Sequence, residues 1–269
     1  MNVHEPTIEV LTMPQGGDAW HEARAGVITA SMFDVARSRV NELDERQLRY
    51  VELVRERGLE PKEAAKEAGY KAAPKSDRIE RALAGEVVGE SSDAARRYAF
   101  RLACERIGGV PYDQRFETWQ MRRGRELEPI ARELHAFKYG IEVEPAGFVR
   151  TTDGKFGASA DGFIGPDGGA EYKAFLDPDR LEPILFTDST EDVRGQMQGG
   201  LWLTGRRWWH LGLYAPQLEP IELDLYVLTE NRDDEFIDAM VADLLRFDEM
   251  VEDYVDRLRD KARRVRAGE

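Results

Sequence analysis

The run FGASADGFIGPDGGAEYKAF, residues 156–175, constrains this chain more than any other segment. It reads as two short strands, Phe156–Ile164 and Ala170–Phe175, joined by a Gly/Pro/Asp turn. Alternation puts Glu171 and Lys173 on one face of the second strand and Tyr172 on the other. Pairing of the two strands brings Asp161 beside them. Phe156, Ala158, Phe163, Ile164 and Phe175 mark the segment as buried, and charged groups in such a segment are expensive unless paired or bound to a metal. Two carboxylates and an ammonium converging on one spot suit metal-assisted phosphodiester hydrolysis. The carboxylates hold a hard divalent cation through oxygen, the cation acts as a Lewis acid, and the lysine orients water or stabilises developing charge. The same spacing also fits a turn aspartate beside a solvated Glu-x-Lys pair. The apolar flanks weigh against that plainer reading.

The length, 269 residues, fits one large domain or a core with one insertion, and 42% apolar content is ample for a core. No apolar run approaches a membrane span, and MNVHEPTIEV has no basic-then-apolar signal pattern. The lone Cys104 excludes a disulfide framework, a cysteine zinc site and a cysteine-held iron–sulfur cluster. A cytoplasmic protein is expected. The net charge of −14 opposes a simple DNA binder, because affinity for nucleic acid comes largely from Lys and Arg on phosphates. Charge is uneven, however: RGRELEPIAREL, SDAARRYAFR, TGRR and RLRDKARRVR are locally basic. An acidic exterior is compatible with a narrow basic channel that focuses potential on DNA.

Helical spacing predicts short helices over Asp18–Arg24 and after the Thr29-Ala30-Ser31 cap, and longer ones over 92–107, 118–139, 191–203 and 233–259. In the 118–139 helix Leu127, Ile130, Ala131, Leu134 and Phe137 form the expected apolar stripe. Glu128 lies near that stripe, facing either the acidic site or Arg132 as an i,i+4 pair. Strands are expected at 142–149, 156–164, 170–175, 208–214 and 221–228, with 176–190 irregular. Helices, strands, helix, strands, helix is the order of an α/β (α+β) fold with a mixed central sheet flanked by helices. Residues 43–86 read as a helical insertion resembling a helix-turn-helix, with EAAKEAGY similar to small phage terminase subunits. Its third helix carries no Arg cluster, which favours an insertion that packs without touching DNA.

Together these pieces resemble the lambda-exonuclease and YqaJ-type viral recombinase family of the PD-(D/E)xK nuclease superfamily. QGGDAWHEARAGVITAS is similar to the family's N-terminal signature, GRELEPIAREL to its middle helix, SADGF and AEYK to its metal-binding hairpin, and GQMQGGLWLTGRRWWHLGLYAP to its glutamine helix and following strand. The resemblance implies a restriction-endonuclease-like core over residues 1–269, with the 43–86 block as an insertion without counterpart. It implies that Asp161, Glu171 and the backbone carbonyl of Tyr172 bind the catalytic metal, with Glu128 completing the set. Magnesium is expected, and manganese suits the same hard oxygen donors. Lys173 matches the catalytic lysine, and Gln196 the residue supporting it and the attacking water, with Gln198 one step further on. Arg24, Ser31 and Ser159 match a pocket for a terminal 5′ phosphate, while Trp20 and His21 read as packing groups. Two departures touch the hairpin: Ala160 stands where a proline is usual, and Ala174-Phe175 replaces a cysteine-proline turn.

The implied activity is 5′-to-3′ degradation of one strand of double-stranded DNA, leaving 3′ overhangs for phage-type annealing recombination. A trimeric ring, a single-strand annealing partner and residence in the bacterial host cytoplasm come with the resemblance. A superfamily endonuclease or repair nuclease without end preference, and a non-catalytic DNA-binding module, are the competing readings.

Overall fold

The computed structural model describes residues 6–13, 15–112, 119–174 and 178–268. In chain order the elements are β1 (Ile8–Leu11), α1 (Asp18–Arg24), β2 (Ile28–Thr29), a 3-10 turn at Ala30–Met32, α2 (Phe33–Arg37) and β3 (Arg39–Val40). Three short helices follow, α3 (Glu45–Arg55), α4 (Pro61–Glu67) and α5 (Asp77–Leu83). Then come β4 (Glu90–Ser91), α6 (Asp93–Gly108) and α7 (Trp119–Tyr139). Four strands succeed them: β5 (Phe148–Thr151), β6 (Phe156–Ser159), β7 (Gly162–Ile164) and β8 (Gly168–Lys173). The chain continues through α8 (Pro178–Thr187), α9 (Glu191–Thr204), β9 (Trp208–Tyr214), a 3-10 segment at Pro216–Ile221, β10 (Leu225–Asn231) and α10 (Asp234–Ala267).

These elements gather into two compact units, Met1–Ala36 with Tyr98–Glu269, and Arg37–Arg97. In the smaller unit, Asp44 and Gln47 close a capping box at the start of α3, Pro61 opens α4, and Ser76 caps α5. Tyr50, Leu53, Ala64, Ala65 and Ile79 form its own apolar core. Leu48, one of the apolar residues on α3, is exposed.

The larger unit has the expected mixed α/β character, with helices packed on mixed sheets. One sheet has the order β1-β5-β6-β2 and the other β10-β9-β8-β7, with β2–β6 and β8–β9 parallel and the remaining pairs antiparallel. A parallel pair needs a crossover, and α8 and α9 supply the one between β8 and β9. Period-two alternation then decides what each face of the second sheet meets. Trp209, Leu211 and Leu213 of β9 pack with Met197 and Leu201 of α9, whereas Ala170 and Tyr172 of β8 pack with Ala131 of α7.

Three sequence expectations need correction. The single strand over 156–164 is two strands in different sheets, broken at Ala160-Asp161. At the break Asp161 N–H donates to the Ala170 carbonyl at 3.1 Å, and its carboxylate accepts the Tyr172 N–H at 2.7 Å. The side chain takes a backbone partner, so the strand cannot run on. Residues 176–190 are not wholly irregular, because α8 forms with Pro178 at its first position, where a missing N–H costs nothing. Ile130 and Phe137 are exposed, because α7 turns Leu127, Ala131 and a buried histidine inward instead. Phe175, the expected end of the second strand, lies outside the described residues, as does Thr118. Among the described residues no helix is long and apolar enough to cross a membrane.

Candidate active site

Strand β8 presents Glu171 and Lys173 on the face toward α9. There the Lys173 ammonium donates to Glu171 Oε1 at 2.7 Å and to Gln196 Oε1 at 3.0 Å, and Gln196 Nε2 donates to the same Glu171 oxygen at 2.6 Å. Three side chains from one strand and one helix therefore close a triangle. Asp161 adjoins it through Tyr172 N–H, and Glu128 approaches from α7, where it accepts from Arg132 at 2.5 Å. The hydrogen bond formed is the i,i+4 pair with Arg132, and Glu171 and Lys173 act on Glu128 electrostatically.

The electrostatics are those of carboxylates held against their preference. Burial pushes the Asp161 carboxyl well above the usual carboxylate range, and neighbouring Glu171 and Glu128 push it the same way. Lys173 and the Tyr172 N–H oppose this without cancelling it. Glu128 is raised as well, first by burial, with Arg132 pulling it back and Glu171 adding repulsion. Such mutual repulsion in a desolvated site is the charge pattern of a functional centre more often than of a structural one.

Asp161, Glu171, Glu128 and the carbonyl of Tyr172 are all hard oxygen donors, the chemistry a divalent cation of the magnesium class takes. Among the described residues no group of three His, Cys, Asp or Glu side chains stands ready-made to hold a metal ion. Glu128 is turned to Arg132, and Glu171 to Lys173 and Gln196. The donor set fits a cation by its chemistry, with those protein partners as what the cation would displace.

A second constellation lies on the first sheet. Ser159 Oγ, at the end of β6, accepts from Arg24 Nη1 and from Trp20 Nε1, each at 3.1 Å. The Arg24 guanidinium sits 4.0 Å over the Trp20 ring and lines a cleft of about 210 Å³ with Trp20, Val27, Thr29 and Arg101. Its pKa falls to about 10, mainly through burial and further through the like charge of Arg101. Glu105 lines the same cleft, pairs with Arg101 at 3.6 Å and, with Tyr98, opposes the lowering of Arg24, so the cleft holds two guanidinium groups and one buried carboxylate. Ser31 does not join this pair directly: it is exposed, and its hydroxyl reaches Thr29 Oγ1 at 3.5 Å.

Sequence reasoning missed Trp20 as a donor and Arg101 as a lining residue. The i,i+4 spacing of Trp20 and Arg24 on α1 was the available signal. It also left the role of Gln198 open. That side chain is fully buried, donating to Glu230 and to the Asn231 carbonyl, both at 2.8 Å, and accepting from Asp233 N–H at 3.0 Å. It ties α9 to the end of β10 and faces away from Lys173.

The YqaJ-like viral recombinase domain matches residues 19–207, most of the chain, including Arg24, Glu128, Ser159, Asp161, Glu171, Lys173 and Gln196. The chain belongs to this family. Among solved structures, the alkaline exonuclease LHK-Exo from Laribacter hongkongensis superposes with a TM-score of 0.66 at 22% identity, over 93% of this chain and 100% of that one. Its complex with dAMP gives 0.67 at the same identity and coverage. A phage-related exonuclease from Haemophilus somnus 129PT gives 0.52 at 14% identity, over 88% and 96%. These likenesses establish the shared fold of the family, as the resemblance in sequence implied. No curated protein matches the chain significantly in sequence.

Proposed function

We propose that this YqaJ-family protein is a metal-dependent exonuclease that degrades one strand of double-stranded DNA from its 5′ end and leaves 3′ overhangs for annealing recombination. The observation that carries the reading is the Lys173–Glu171–Gln196 triangle set beside Asp161 and Glu128. A divalent cation, magnesium or manganese, held by Asp161, Glu171, the Tyr172 carbonyl and Glu128 would supply Lewis-acid stabilisation to the phosphate under attack. Lys173, fixed by two hydrogen bonds, orients the attacking water and offsets negative charge as it develops. Gln196 holds the ammonium and the Glu171 carboxylate in register, so neither has to reorganise during reaction.

End recognition falls to Arg24 and Ser159, with Trp20 holding the serine hydroxyl, and Ser31 would join them only by turning from Thr29. Arginine plus hydroxyl donors suits a terminal phosphate dianion. Double-stranded DNA ends are the proposed substrate, a trimeric ring the proposed assembly, and a single-strand annealing protein the proposed partner. A ring with a basic lumen would reconcile DNA handling with the net charge of −14.

Digesting linear, nicked-free circular and 5′-dephosphorylated duplexes, with magnesium and with chelator, tests the proposal. Cation-dependent loss of linear DNA, slowed by dephosphorylation, is expected. Cutting of intact circles would establish the endonuclease reading instead, and binding without cleavage would favour a non-catalytic DNA-binding module.

A further inference from the structure

Behind the charged face of β8 lies a buried chain of polar groups for which the cleavage chemistry has no use. Tyr172 points away from Glu171 and Lys173, and its hydroxyl lies 2.8 Å from Nδ1 of His135 on α7. His135 is completely buried, and its Nε2 lies 3.1 Å from Nδ1 of His210 on β9. Three elements are thereby joined by two hydrogen bonds. Burial lowers both histidines, His135 to about 4 with His210 adding to the effect, and raises the Tyr172 phenol. The groups are therefore neutral near pH 7. With His135 neutral, one of its ring nitrogens donates and the other accepts, so a single tautomer makes both bonds.

Packing holds the arrangement in place. A Cβ at position 212 would meet Tyr172 Cδ1 at 2.6 Å, so the tyrosine ring occupies the space of a side chain on β9 and Gly212 is what lets it lie there. The His135 ring meets the Tyr172 ring edge-on at 5.7 Å and the His210 ring at 5.1 Å. On α7, His135 stands at i+7 from Glu128, two turns along the same side, with buried Ala131 between them. Fixing the helix at His135 therefore fixes its rotation and height at Glu128. Among the described residues Glu128 is hydrogen-bonded to Arg132, on its own helix, a contact that does not set its distance from β8.

We propose that Tyr172, His135 and His210 form a positioning device that locks α7 onto β8 and β9 and so sets Glu128 against Asp161 and Glu171. Cation affinity then depends on three side chains whose functional atoms touch neither cation nor DNA. The inference rests on the cation site proposed above.

Its test is manganese binding to the full-length protein by titration calorimetry, for wild type, His135→Phe, Tyr172→Phe, Glu128→Gln and the His135→Phe/Glu128→Gln double variant. Melting temperature is recorded for each. His135→Phe is expected to weaken cation binding roughly 10-fold, the scale seen when partners that orient a ligand are lost. In the Glu128→Gln background the same change should have little further effect, because its route is through Glu128. Tyr172→Phe keeps the ring and removes one hydroxyl, so it should show the same loss, smaller, should His135→Phe fail to fold. Unchanged affinity in these variants, or losses that simply add in the double variant, would overturn the inference alone. A wild-type protein that binds no cation would overturn the nuclease reading along with it.

Discussion

Glu171 and Tyr172 are adjacent on one strand, yet the two faces of β8 solve opposite problems. On the first, Asp161, Glu171 and Glu128 crowd together, with Lys173 and Arg132 as the nearby cations, and burial and repulsion leave Asp161 unwilling to ionise. On the second, Tyr172, His135 and His210 are neutral and hydrogen-bonded to one another. A fold that keeps like charges together must resist their separation, and a satisfied neutral network gives resistance without adding charge. The comparison separates residues proposed to do chemistry from residues proposed to hold the chemistry still.

The largest effect should follow from breaking the charged face. Lys173→Ala is expected to lower the cleavage rate about 10²–10³-fold even at saturating cation, since a donor aimed at developing charge is lost. Asp161→Asn should abolish cleavage while leaving the fold intact. Substitutions on the neutral face should differ in kind: Tyr172→Phe raises the cation concentration needed for half-maximal rate but restores most of the rate at saturation. Cation titrations of activity for the three variants decide the matter. A Tyr172→Phe enzyme that stays slow at saturating cation would erase the distinction.

The same contrast recurs on α9 over two residues. Gln196 bonds the catalytic candidates, whereas Gln198 bonds Glu230, Asn231 and Asp233. Gln196→Ala should cost activity with a small change in stability. Gln198→Ala takes the side-chain partner from the Asn231 carbonyl and the Asp233 N–H, while Glu230 keeps Arg194 and Thr190, and should cost about 1–3 kcal/mol of stability. Denaturant unfolding beside rate measurement reads both. A smaller effect belongs to the proposed end-recognition cleft: Arg24→Lys keeps the charge and loses the fork, so the proposed preference for 5′-phosphorylated over dephosphorylated ends should shrink while turnover of internal nucleotides persists.

Much of the charged face was legible because polar residues interrupted an apolar alternating run, and such interruptions are costly without a purpose. The break at Asp161 was not legible, since the period of two continues through Gly157-Ala158-Ser159 into Gly162-Phe163-Ile164 while the chain changes sheets. The helix α8 was hidden by Pro178 and Pro183, which read as breakers although the first sits where helices accept proline. The buried face of α7 was misjudged because it is chosen by Leu127, Ala131 and His135 rather than by the most apolar residues, leaving Ile130 and Phe137 exposed. His135 and His210 carry no local signal at all. They lie 75 residues apart, and only the α7–β9 packing makes them neighbours.

Protons should act on the two faces with opposite sign. Asp161 has a raised pKa, so the folded state binds more protons than the unfolded chain above pH of about 3.8, and its contribution to stability falls as pH rises through that window. His135 is lowered from 6.5 to about 4, so between these values the unfolded chain binds more protons, and stability is lost as pH falls. Cation-free wild type should therefore carry two opposing slopes between pH 6.5 and 4, each kcal/mol being worth about 2–4 °C of melting temperature in a domain of this size. His135→Phe removes that acid-side slope, and Asp161→Asn removes the opposing one, so the gap between Asp161→Asn and wild type should widen as pH rises. Melting curves of the three proteins in chelator at several pH values measure both slopes. If His135→Phe kept the wild-type acid slope, the imidazole would not be the group that refuses the proton, and the neutral face would owe its stiffness to ring packing over Gly212 instead.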